Sequence, residues 1–302
     1  MNLLSRILYD MVYHTTPILL CVLGGLFAYK AGVLNIALEG MMLAGSFIAV
    51  FVALHTQNTL LIYLSALLVC VVIGLVFAYL AVKKKGNVII IGLAINMLVP
   101  AIASFILQYM GVPNLTAKWV NPSDFRIDIP LIKDIPYLGS ILSGHPLGTY
   151  IGLLMIFVAS IVLYKTRFGI YTRVIGESPN AATSLGIQAN KYATWAILIG
   201  ALCCGVAGLN LSYERLGIFT NGMTAGRGFI AIAAIYCGKG KPVQSAMYAF
   251  IFGLARSLAI NLSVFAGPIS ALFDIIPYLL MVAILAINSA YEIRNYRIRT
   301  YW

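Results

Sequence analysis

Long apolar runs follow one another along this chain, near residues 15–29, 33–54, 60–82, 88–110, 148–164, 192–211, 226–238, 243–262 and 275–289. A bilayer's hydrocarbon core is ~30 Å thick and takes about 20 helical residues to cross. Several runs reach that length; others are short or interrupted by glycine. In lipid every backbone N–H and C=O must be satisfied within the protein, which leaves helices as the spanning element for runs of this kind. The pattern predicts an all-α, polytopic membrane helical bundle of about 8–10 transmembrane helices, with broken or re-entrant segments. Only 10% of residues are charged, against roughly 25% in soluble domains. No polar block divides the runs, so 1–302 reads as a single transmembrane domain.

The first residues, 1–14, do not read as a cleaved signal peptide. Leu3, Leu4, Ile7, Leu8 and Met11 recur at helical spacing, with Arg6, Asp10 and His14 on another face. That predicts a short amphipathic helix lying at the interface. The five cysteines all fall in apolar segments without metal-type spacing, so they read as small apolar residues.

Charge predicts orientation. Lys83, Lys84, Lys85, Lys165, Arg167, Arg173, Lys191, Lys239, Lys241, Arg294, Arg297 and Arg299 fall on alternate connections and on the tail. Basic connections face the cytoplasm, so the 165–191 loop and the 290–302 tail are expected inside. The 111–147 loop then lies outside, with Lys118, Arg126 and Lys133 balanced by Asp124, Asp128 and Asp134. The net charge of +11 is therefore topology, not a nucleic-acid footprint. The N-terminal side depends on whether 33–54 spans fully or is broken.

Residues 31–46 read AGVLNIALEGMMLAGS, with an amide and a carboxylate in an apolar setting. Asn35 and Glu39 are four apart and would share a helix face, continued by Met42 and Ser46. A charge at bilayer depth costs at least ~2.5–3.5 kcal/mol and faces protein or a water-filled cavity. Glu39 therefore lines a polar pathway, caps N–H groups freed by a break at Gly32, or pairs with Lys30 or Arg256. Gly92, Asn96, Pro100, Ser104 and Gln108 wind a second polar stripe along one side of 88–110, as a pore-lining helix or as interhelical bonding. Arg256 lies deep in another run and reads as snorkelling or ion-paired. GVLNIALEGMMLAGSF (32–47) and GRGFIAIAAIYCGKGKP (226–242) resemble each other weakly, as in transporters built from repeats.

The stretch 165–191 is too polar to span. Ser178 and Pro179 read as the cap and first position of a short helix over Asn180–Leu185, stopped at Gly186. Taken alone it is either a docking element or a plain solvated loop. No enzyme signature is present. GKGKP lacks the spacing and hydroxyl of a phosphate loop, and His14, His55 and His145 are scattered.

AGVLNIALEGMMLAG resembles the signature of permease subunits of bacterial ABC importers, in the branched-chain amino acid/ribose permease superfamily. RVIGESPNAATSLGI, NGMTAGRGFIAIAAIYCGKGKP and IIPYLLMVAILAI resemble its later segments, in order, over roughly residues 15–290. NIALEGMM with TAGRGFIA is most similar to the nucleoside, simple sugar-like members. Amino-acid permeases of the group read NFAHGE at the first motif, which Asn35 matches and the LEG after Ala37 does not. The resemblance implies a translocation path shaped by Asn35, Glu39, Met42, Ser46, Asn96 and Ser104. It implies a coupling helix around Arg173, Glu177, Ser178, Pro179, Asn180, Ala181, Ala182, Leu185 and Gly186. It implies partners: ATPase subunits that bind ATP and magnesium, a second non-identical permease, and an extracellular substrate-binding lipoprotein. This chain itself would bind no cofactor. The location implied is the bacterial plasma membrane. The substrate implied is a nucleoside, then a simple sugar such as ribose or galactose, then a branched-chain amino acid. An ion-coupled secondary transporter using Glu39 and Arg256 is the competing class; it has no need of a docking helix.

Overall fold

A computed structural model describes residues 3–129, 138–263, 273 and 275–300. The chain is a helical bundle. Helix α1 is Leu3–Lys30, α2 Leu38–His55, α3 Thr59–Ala78 with a π turn Tyr79–Lys83, and α4 Val88–Tyr109. Then come a short α5 (Leu138–Leu142), α6 (Leu147–Lys165), α7 (Arg167–Glu177), α8 (Pro179–Ser184) and α9 (Ala189–Ser212). The last three are α10 (Arg227–Cys237), α11 (Pro242–Ser263) and α12 (Ile276–Thr300). Among the described residues seven helices are long and apolar enough to cross a bilayer, and Arg227–Cys237 and Ile276–Ala290 are shorter apolar helices.

Local chemistry sets the ends. Asn58 caps α3 by accepting from Leu61 N, and Asn87 caps α4 by accepting from Ile89 N at 2.9 Å. Packing sets the arrangement. α1 is the central helix: 83% of its apolar window is buried, against 17% for the peripheral α4. Small residues let backbones touch, as expected where lipid offers no hydrophobic drive between helices. A Cβ on Gly24 of α1 would lie 2.5 Å from Cys203 Cβ of α9. Gly45 of α2 meets Gly205 of α9 at 3.2 Å in the same sense.

The segment 1–14 was expected as a separate interfacial helix. From Leu3 it is instead the opening of α1, which runs unbroken through Pro17 to Lys30. α11 supplies polar partners for this segment: Asn261 Nδ2 donates to Asp10 at 2.8 Å, and Ser257 Oγ donates to Ile7 O at 2.7 Å.

The bundle has two chemically different ends. Lys30 at the end of α1 meets the 239–241 turn, donating to Lys239 O at 3.5 Å, and its carbonyl abuts Gly176 of α7. The basic 165–191 and 239–241 connections thus share one end. At the other end the 111–129 connection folds back. There β1 (Asn114–Thr116) pairs antiparallel with β4 (Ile218–Thr220), and β2 (Arg126–Ile127) with β3 (His145–Pro146). Trp119 Nε1 donates to Ala53 O at 2.7 Å, fixing this connection over α2. Lys133 and Asp134 of the expected 111–147 loop lie outside the described residues.

Candidate functional site

Residues 31–37 are not helical, so the run 33–54 is broken near its start. Gly32 takes φ +76°, and Val33 N bonds Ala28 O at 3.0 Å while Gly32 N bonds Tyr29 O at 3.0 Å. This is the left-handed termination that glycine favours. Asn35 is buried in the break, its Oδ1 accepting from Ala37 N at 3.0 Å. It therefore does not share a helix face with Glu39. The four-residue rule applies only within a continuous helix, and the chain re-enters helix at Leu38.

The cap of α2 is Ala37, which has no side-chain acceptor. Asn96 of α4 serves in its place. Its Oδ1 accepts from Gly40 N at 2.7 Å and its Nδ2 donates to Ile36 O at 2.8 Å, on either side of the helix start. One turn earlier, a Cβ on Gly92 would lie 2.7 Å from Ile36 Cβ. This part of the α4 stripe is thus packed on the break. Ser104 lies further along, accepting from Asn221 Nδ2. Met42 and Ser46 are fully buried, Ser46 Oγ bonding Met42 O at 3.0 Å and Gly208 O at 3.1 Å. Of the six residues expected on a path, Asn35 and Asn96 converge on the break, whereas Glu39, Met42, Ser46 and Ser104 make their side-chain bonds or packing elsewhere.

Glu39 reaches across the molecule. Its Oε1 accepts from Gly226 N at 2.8 Å and its Oε2 from Gly228 N at 2.6 Å. These N–H groups open α10, whose cap residue Gly226 has no side chain and sits at φ +70°. The carboxylate satisfies two free donors and faces the positive end of the α10 dipole. The N–H groups it caps belong to the start of α10, not to the break at Gly32. Arg256 lines a water-sized cavity with Arg227 and Tyr278.

A second polar cluster escaped the sequence reading. Glu214 is completely buried and accepts from Tyr63 Oη, from Asn210 Nδ2 at 2.7 Å and from Gly148 N at 3.2 Å. The Arg215 guanidinium lies 3.7 Å from the Tyr13 ring centroid and donates to Tyr13 O. The available signal was an adjacent acid and base directly after an apolar run, in SYERLG.

Beside it, His145 is buried and stacked on Tyr9 with centroids 4.2 Å apart. Its Nε2 bonds Ile141 O at 2.8 Å, and Nδ1 has no partner. Burial, with the nearby Arg215 and Arg126 charges, outweighs that carbonyl and Asp10 and pulls its pKa down to about 4. The folded chain therefore binds fewer protons than the unfolded one between about pH 4 and the unperturbed value of roughly 6.5. Stability is expected to fall as pH drops through that window. His145→Gln should flatten the decline, read as the pH dependence of the thermal midpoint.

The 165–191 connection forms the short helix expected of it. Ser178 caps α8 by accepting from Ala181 N at 3.4 Å, and Pro179 is its first residue. Gly186 ends it at φ +78°, with Ile187 N bonding Ala182 O at 3.0 Å. Ala182 is buried, while Pro179, Asn180, Ala181 and Leu185 are exposed. Leu185, at 74% exposed, is a large apolar side chain with little covering it. Arg173 lies over the Tyr164 ring at 5.0 Å. Glu177 and Arg173 line a cavity of about 290 Å³ with Tyr29, Lys30 and Tyr164. Between Arg173 and Glu177, Gly176 sits backbone to backbone on the break: its neighbours are Lys30 O and Gly32 N.

The profile of the family described as "Branched-chain amino acid transport system / permease component" matches residues 7–285. The chain is 31% identical to the nucleoside ABC transporter permease protein NupC of Lactococcus lactis subsp. cremoris, over 95% of this chain and 93% of that one. It is 33% identical to the guanosine ABC transporter permease protein NupQ of Bacillus subtilis, over 93% and 89%. A putative glucose ABC transporter permease protein of Haloferax volcanii, TsgC13, is 28% identical over 86% and 79%. No solved structure matches. Two helix starts, α2 and α10, tied together by Glu39 and a capped helix in the 165–191 connection thus sit in a chain that belongs to the ABC transporter permeases of the branched-chain amino acid transport family.

Proposed function

We propose that this chain is the permease subunit of an ATP-driven importer that carries nucleosides across the bacterial plasma membrane. The observation that carries the transport reading is the seating of Gly176 on the 30–32 turn. It joins an exposed, capped α8 to the break that Asn35 and Asn96 organise. On this reading Arg173, Glu177 and α8, from Ser178 to Gly186, dock into a separate ATPase that binds ATP and magnesium. Nucleotide must favour one state of the permease energetically to drive the path open or closed. Asn35 and Asn96 shape the path by fixing the 31–37 break and Glu39 by fixing the start of α10, with Met42, Ser46 and Ser104 supporting them. The basic end, with the C-terminal tail, faces the cytoplasm by the positive-inside rule. A second, non-identical permease chain and an extracellular binding lipoprotein complete the complex.

The nucleoside assignment rests on the similarity to NupC and NupQ. The similarity to TsgC13 makes a simple sugar the second reading. The test is uptake of radiolabelled guanosine and uridine in cells with and without the gene, with ribose, glucose and leucine in excess. Loss of nucleoside uptake in the deleted strain, with parental uptake indifferent to the competitors, is the expected result. Intact nucleoside uptake with diminished sugar uptake would transfer the assignment to the sugar.

A further inference from the structure

The cavity of about 290 Å³ at the basic end opens where α7 meets the last turn of α1. Its charged walls are Lys30, Arg173 and Glu177, so two basic side chains stand against one acid. The same excess marks the whole 165–191 connection, where Lys165, Arg167, Arg173 and Lys191 outnumber Glu177.

Arg173 is the group around which the cavity is built. Its guanidinium carbon lies 5.0 Å from the centroid of the Tyr164 ring, a flat support for a flat fork. Its Nε is buried and has no hydrogen-bond partner among the described residues. Lys30 is already engaged, donating to Lys239 O at 3.5 Å. The unmet demand is therefore that of Arg173, and a guanidinium fork matches a carboxylate with two parallel bonds. The lining narrows the choice of anion. A lipid headgroup needs a lane for its acyl chain, and no Leu, Ile, Val or Met is among the described residues that line this cavity. Its position matters too. Gly176, on the same wall, packs against Lys30 O and Gly32 N, so an occupant between Lys30 and Arg173 spans the joint of α1 and α7.

We propose that the cavity receives an aspartate or glutamate side chain of the ATPase subunit, its carboxylate bound by Arg173 with Lys30 alongside. This contact presupposes that the 165–191 connection docks on the ATPase, and it adds a second anchor beside α8. A carboxylate held there touches α7 and the last residue of α1 at once. Movement of the ATPase then reaches the 31–37 break directly, without passing through α8.

The test uses the complex with its ATPase subunits in mild detergent and a water-soluble carbodiimide, which joins an amine to a carboxylate in contact with it. In Arg173→Lys the expected product is an amide between residue 173 and one ATPase aspartate or glutamate, located by peptide mass spectrometry. Lys30 of the parent should couple to the same acid. Titrating the ATPase onto immobilised permease, Arg173→Gln should weaken binding roughly tenfold or more, and Arg173→Lys less. Coupling of both amines to Glu177 alone, or parental ATPase affinity in Arg173→Gln, would overturn the proposal. So would loss of a bound phosphatidylglycerol in Arg173→Gln with ATPase affinity unchanged, which gives the cavity to a headgroup. Leu185→Asp separates this contact from the docking it presupposes. If Leu185→Asp releases the ATPase and Arg173→Gln does not, only the cavity contact falls. If neither weakens binding, the docking of the connection falls with it.

Discussion

Gly176→Val is expected to abolish uptake while the chain still reaches the membrane. A Cβ at this position would run into Lys30 O and crowd Gly32 N, both backbone atoms that cannot swing aside as a side-chain tip would. Overpacking a close contact typically costs about 1–3 kcal/mol, and against backbone the strain must move a helix end. Here the helix ends in question are α7 and α1, so the displacement falls on the joint between the 165–191 connection and the 31–37 break. Gly176→Ala should give an intermediate defect. The measurement is uptake per membrane-inserted complex, alongside ATP hydrolysis by the reconstituted assembly. The proposed coupling predicts that hydrolysis persists and uptake is lost. Normal uptake in the valine variant would remove the joint from the mechanism.

The second large effect concerns Glu39. Replacing it by alanine leaves the N–H groups of Gly226 and Gly228 without their acceptors. Each buried group left unsatisfied costs about 1–3 kcal/mol, with a further dipole contribution lost at the start of α10. Glu39→Gln keeps one acceptor oxygen and turns an NH2 toward the other donor, so its defect should be smaller. The expected order of heat stability is Glu, then Gln, then Ala, with uptake falling in step. If the carboxylate instead acts by binding solute, Gln and Ala would both lose uptake at unchanged thermal midpoint. That pattern would refute the capping role.

Local chemistry was legible in the sequence, and distant chemistry was not. Apolar runs separated by charged or glycine-rich connections report the bundle because bilayer thickness fixes helix length. Ser178, Pro179 and Gly186 announced α8 because caps and stops act within a few residues. The i, i+4 spacing of Asn35 and Glu39 misled because Gly32 ends the helix and Asn35 falls before the next one. The partner of Glu39 could not be read from any local period, since Gly226 lies 187 residues away. Asn96 reads from sequence as pore lining or interhelical bonding; its amide takes the second role, completing the start of a different helix. Glu214 was passed over because it follows the apolar run α9 where a charge normally meets water; Tyr63, Asn210 and the backbone of Gly148 enclose it instead.

The same clasp has a meaning during biosynthesis. Glu39 is made early, and its acceptor role is filled only when Gly226 and Gly228 have been polymerised. At about 5–20 residues per second, the ribosome needs roughly 10–40 s to cover that distance. Throughout this interval a segment meant for the membrane interior holds a carboxylate with no native donors. The first half of the protein is therefore born incomplete, and its charge is matched only once the second half arrives. A chain cut short before α10 carries that mismatch with it, which makes the acid an internal register of whether synthesis has reached α10.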